Sequence, residues 1–230
     1  MKRGLVVIVI LSLALVAFSC STEGAFVPMA SQGSKTVEDT TKYVKEAKPY
    51  ITITATPTVE QLLNAILEVP EVSNSTKTTI NYVLDLLPEL EGWLAGIPAE
   101  TWQAIDEIMG NVTEFETVSN ATSFLQGRVD SHQYDGYEWL PEALDFGIDL
   151  LKAGENTVYN PEWFPYTEDP LVGFNVSELW KEGLEGGIAG AVGATLAGIA
   201  LDTYALRIGG VVGAVDYSVA DLISQLSDWW

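Results

Sequence analysis

The chain has 230 residues, of which 32 are acidic and 11 basic, for a formal net charge of −21, with one cysteine and one histidine. A field of that sign repels nucleic acid and anionic lipid headgroups, so no nucleic-acid partner is expected. A lone cysteine excludes an internal disulfide, and His132 alone leaves too few soft ligands for a zinc centre or a Ser/His/Asp triad.

Lys2 and Arg3 precede an apolar run from Leu5 to Phe18 that only Ser12 interrupts, the layout of an export signal over residues 1–19. The run ends in Ala17-Phe18-Ser19-Cys20, which resembles the lipobox of bacterial lipoproteins, with Phe18 bulkier than the residue usual at its position. The resemblance implies that Cys20 becomes the acylated first residue of the mature chain. The protein is then exported and membrane-anchored at the cell envelope, periplasmic or on the cell surface. Ala17 and Ser19 also satisfy the small-residue rule of an ordinary secretory peptidase, which would leave Cys20 a free terminal thiol. Residues 20–36 are small and polar, including Ser-Thr-Glu-Gly and Ser-Gln-Gly-Ser, and suit a flexible tether.

Residues 37–174 read as an acidic helical domain. Tyr50 to Thr56 alternates with period two, the best strand candidate, although an isolated strand has nothing to pair with. Thr56-Pro57 then opens a helix with Val59, Leu62, Leu63, Ile66 and Leu67 on one face, closed by Pro70. Ser75 opens a second through Ile80, Val83, Leu84 and Leu87, with Pro88 starting or kinking a continuation to about Gly96. Pro98 starts a third, through Trp102, Ile105 and Ile108, which Gly110 is expected to stop. Pro141 starts a fourth through Leu144, Ile148 and Leu151, ending at Gly154. Four amphipathic helices in series predict an all-α fold, a helical bundle. No Lys or Arg occurs between Thr78 and Gly127.

Residues 175–230 predict a Gly/Ala-rich helical hairpin. Asn175 and Glu178 have capping-box spacing. Gly186, Gly190, Ala194 and Gly198 recur every four residues, so one helix face is lined by hydrogen atoms and methyl groups, and a second backbone can approach it closely. Gly209 with Gly213, and Gly210 with Ala214, repeat the spacing after a polar interruption at Asp202–Arg207. The expected packing face is therefore Gly186, Gly190, Ala194, Gly198, Gly209 and Gly213. Helix is expected to about Leu201, with a break or bend between Asp202 and Gly210.

Over residues 183–219 this pattern is similar to the glycine-zipper two-transmembrane segments of bacterial envelope lipoproteins, and glycine-zipper bacteriocins share the spacing. That resemblance implies an arm pair facing lipid or a second copy. This chain departs from the pattern by placing Asp202, Arg207 and Asp216 in or beside the arms. The uncharged stretch from Gly186 to Leu201 is also short for a bilayer. Read from the residues alone, the hairpin is either packed on the bundle or set in the membrane.

Chemistry-bearing patterns are sparse. Glu89 with Glu91, Asp106 with Glu107, Glu114 with Glu116 and Glu138 with Glu142 could each be an acid and base pair, but a chain this acidic produces such pairs without selection. Asp135-Gly136 with Glu142 fits the second half of a calcium loop, while Ser131 stands where the leading aspartate belongs. No catalytic residue, metal or cofactor is expected. The expected function is that of a non-enzymatic cell-envelope lipoprotein with a structural or partner-binding role. The alternative is a membrane-active protein, bacteriocin-like or pore-forming, that inserts through the hairpin. Expected partners are the membrane, through the lipid on Cys20, and an envelope protein or a second copy met through the hairpin.

Overall fold

The computed structural model describes residues 56–131, 139–155, 176–198 and 202–225. The strand candidate before Thr56, Cys20, His132, Asn175 and the leading half of the calcium-like loop lie outside the described residues. Within them the fold is all-α, with seven helices: α1 (Val59–Leu67), α2 (Asn74–Ala95), α3 (Ala99–Val112), α4 (Val118–Asp130), α5 (Leu140–Glu155), α6 (Val176–Ala197) and α7 (Asp202–Gln225).

Local chemistry sets where these helices begin. Thr58, two residues later than the expected Thr56, caps α1 in a reciprocal box. The Gln61 amide donates to Thr58 Oγ1 at 3.2 Å, and the Thr58 amide donates to Gln61 Oε1 at 2.9 Å. Ser73 caps α2 by accepting from the Thr76 amide at 3.2 Å, and Thr117 caps α4 by accepting from the Asn120 amide at 3.3 Å. α3 follows Pro98, whose extended backbone sets its first turn without a side-chain cap.

Helix ends depart from expectation more than starts do. Pro88, expected to start or kink a continuation to about Gly96, lies exposed inside α2, which runs to Ala95 with Gly96 as its C-cap; the missing N–H removes one hydrogen bond. Gly110 is likewise inside α3, exposed, where it lowers helix propensity without terminating the helix. α5 passes through Gly154 to Glu155. The hairpin turn comes earlier than expected. Gly198 is already outside α6, and Asp202 to Gly210 is the first half of α7 rather than a break. The polar residues there sit on a helix, with Thr203 and Tyr204 exposed, so they needed no turn to reach water.

The hairpin of α6 and α7 is the centre of the described fold. α2, α3 and α5 pack on α6; α1, α2 and α5 pack on α7; α4 lies on α5. Every residue from Gly186 to Thr195, and from Gly209 to Val215, is buried. A helix apolar on all sides is stable in water only when neighbours cover every side, and here they do. Ile188, Ala189 and Ala191 are each 0% exposed, and burying an isoleucine of this kind contributes about 1.5–3 kcal/mol. The single polar side chain in this stretch of α6, Thr195, donates to the Ala191 carbonyl at 2.8 Å and so carries no unmet hydrogen bond into the core. Among the described residues no helix is long and apolar enough to cross a membrane.

Candidate functional site

The antiparallel seam between α6 and α7 is built from missing side chains. A Cβ on Gly190 would strike the Gly209 carbonyl oxygen and lie 2.9 Å from its carbon, with the Gly213 Cα at 3.1 Å. A Cβ on Gly209 would strike the Gly190 carbonyl and the methyl of Ala194. Gly186 and Gly213 stand in the same relation, each facing the other's carbonyl, and a Cβ on Gly186 would also lie 2.6 Å from the Tyr217 ring. A Cβ on Gly198, at the turn end, would lie 3.2 Å from the Ala205 methyl. Glycine Cα–H groups thus point at carbonyl oxygens across the seam, a weak contact worth about 0.5–1 kcal/mol each.

Glycines outside this face serve other neighbours, and of these the four-residue spacing had singled out Gly210 alone. Gly193 of α6 accommodates the α2 backbone, with the Trp93 carbonyl oxygen 2.7 Å from where a Cβ would be. Gly210 of α7 receives the Phe146 ring of α5, and Gly147 of α5 receives Leu184 and Ile188. Gly183 lies against Ser218, which is 3% exposed. Small residues therefore occur on several sides of the hairpin, the pattern of a central element rather than of one dimer face. The legible signal was the sheer density of glycine, not its period.

Along the seam runs a rim of acid. Glu182 and Glu185 of α6 and Asp216 of α7 are all half-buried, and Tyr217 lies between the two helices. Burial, then Asp221 and Glu178, pushes the Glu182 carboxyl above the usual carboxylate range. Burial, then Glu182 and Asp106, does the same to Glu185. For Asp216 the causes are burial and Glu91. Tyr217 is raised by burial and by Glu185, Asp216 and Glu182. An open cleft of about 400 Å³ lies here, lined by Glu182, Asp216, Tyr217, Ala220, Asp221 and Ser224.

Of the carboxylate pairs adjacent in sequence, Glu138 lies outside the described residues, and members of two others meet groups from elsewhere in the fold. Glu107 instead faces Arg128 at 3.5 Å, and Asn111 donates to the Glu107 carbonyl at 2.7 Å. The fold recombines the pairs: Glu91 from one acts on Asp216, and Asp106 from another acts on Glu185. Among the described residues no group of three or more His, Cys, Asp or Glu side chains is placed to hold a metal ion. No family model, curated protein or solved structure matches this chain. What the site can do is therefore argued from its geometry alone. The seam positions backbones, and the rim concentrates negative charge in a cleft open to solvent.

Proposed function

We propose that this protein is a tethered, non-enzymatic component of the cell envelope, held at a membrane by a lipid on Cys20 and acting by binding another envelope protein. The observation that carries this reading is the complete burial of Gly186–Thr195 and Gly209–Val215 inside the bundle. A hairpin committed to a protein core is not displayed to lipid, which leaves the N-terminal segment as the membrane link. What the folded domain presents outward is negative charge. Asp85, Glu89, Glu91, Glu100, Asp106, Glu107, Glu114 and Glu116 are all exposed on or beside α2 and α3, in a stretch that has no Lys or Arg. Such a surface favours a basic protein partner and disfavours anionic headgroups.

Fractionation of cells expressing the wild type and Cys20→Ser tests the tether, since acylation alone supplies the attachment in this reading. The wild type should sediment with membranes and incorporate a labelled fatty acid, and Cys20→Ser should be soluble and unlabelled. Equal membrane association of the two would refute a lipid tether. Release of an entrapped dye from vesicles by the purified full chain would favour the membrane-active alternative.

A further inference from the structure

The close approach of α6 and α7 fixes more than their backbones. With Gly186 against Gly213 and Gly190 against Gly209, neither helix can move outward without opening the seam. Closing it brings Glu182 of α6 into one cleft with Asp216 and Tyr217 of α7, with Glu185 half-buried about one turn along α6. We infer that this seam is an acid-tightened clasp: protonation of Glu182, Glu185 and Asp216 closes the hairpin more firmly, and their ionisation loosens it. The inference stands apart from the envelope role and does not depend on it.

Charges on the surrounding helices act in one direction. α2 brings Glu91 towards Asp216, and α3 brings Asp106 towards Glu185. α6 adds Glu178 beside Glu182, and α7 adds Asp221. Among the described residues, the basic groups nearest in sequence or along these helices are engaged or set further along. Lys181, adjacent to Glu182 in sequence, donates to the Thr113 carbonyl at the end of α3 at 2.7 Å and lies over the Trp180 ring. Lys77 is at the start of α2, about 20 Å along the helix from Glu91, and Arg207 is about 13 Å along α7 from Asp216. On α5, Lys152 acts on Asp145 together with Asp149 and Asp130. The charged residue within α1 is Glu60.

The sign follows from linkage. Each of the three carboxyls holds its proton more tightly in the folded chain than in the unfolded one. Between the ordinary carboxylate range and those raised values the folded state binds more protons, so stability falls as pH rises through that window and returns on acidification. Tyr217, raised in the same way, adds a loss at alkaline pH.

Thermal unfolding of the full chain, followed from pH 7.5 to 4.5 at constant ionic strength, tests the clasp. The wild-type Tm should rise by about 4 °C or more on acidification, a shift well resolved for a chain of this size. Relief of general surface repulsion would also raise Tm, and Asp145 contributes in the same sense, so two triple variants separate the causes. Glu182→Gln with Glu185→Gln and Asp216→Asn should raise Tm at pH 7.5 and lose most of the pH slope. The same number of exposed acids neutralised as Glu89→Gln, Glu100→Gln and Glu114→Gln should keep the slope. A flat or falling wild-type Tm on acidification would overturn the inference, as would equal loss of slope in the two variants. If the seam triple variant does not fold, Glu185→Gln alone decides: a slope unchanged from wild type overturns the clasp, and a reduced slope supports it.

Discussion

Replacing Gly190 by alanine adds a single methyl group at the tightest point of the molecule. The new Cβ would collide with the Gly209 carbonyl oxygen and sit 2.9 Å from the carbonyl carbon. Both are backbone atoms in the middle of a helix, so no side-chain rotation relieves the clash, and α6 and α7 must separate. Overpacking of this kind costs about 1–3 kcal/mol, and a clash between two backbones belongs at the upper end of that range. The better helix propensity of alanine returns up to about 1 kcal/mol. The expected net loss is about 2 kcal/mol, which lowers Tm by about 4–8 °C for a chain of this size. Urea denaturation followed by far-ultraviolet circular dichroism would check it, with an unchanged slope showing that the unfolded state is unaltered. Gly110→Ala is the internal control: it is the same chemical change in mid-helix, but nothing lies within 4 Å of the added methyl, so it should stabilise by up to about 1 kcal/mol. Gly190→Ala as stable as wild type would refute the seam as a backbone contact.

Two further expectations concern the layers around the hairpin. Leu144 of α5 is 0% exposed in the central core, so Leu144→Ala should destabilise by about 2–5 kcal/mol in the same urea titration. Lys181→Met keeps the apolar stem over Trp180 but removes the charged donor to the Thr113 carbonyl, and should cost about 0.5–1.5 kcal/mol, most evident as faster amide exchange near the end of α3.

Much of the bundle was legible because its faces follow simple periods. Leu62, Leu63 and Ile66 in α1, and Ile105 and Ile108 in α3, are buried where the helical spacing puts them. α4 was missed. Its buried residues are Val118, Ala121 and Leu125, separated by Ser, Thr and Asn, so its apolar stripe is too thin to register. Phe124 adds a partial face by meeting Phe115 at 5.5 Å, a contact between segments that no local pattern announces. Glycine punctuation misled at Gly110 and Gly154, because glycine weakens a helix locally and the tertiary packing of the rest overrides that penalty. Glu185 illustrates the limit for the site. It stands one residue before Gly186 in sequence, where nothing local marks it, and only the arrival of α3 and α7 makes it half-buried among acids.

The hairpin's place in the chain has a consequence for how the protein is made. α6 and α7 leave the ribosome or a translocation channel after α1 to α5, yet α1, α2, α3 and α5 all lean on them. Earlier helices can form their own hydrogen bonds, but their apolar faces have no floor until the hairpin is free. The seam itself joins neighbours across a short turn, so it closes quickly once it is available. Final compaction is thereby delayed until the hairpin has emerged, and a chain stalled before Gly186 stays open, adhesive and within reach of chaperones and proteases.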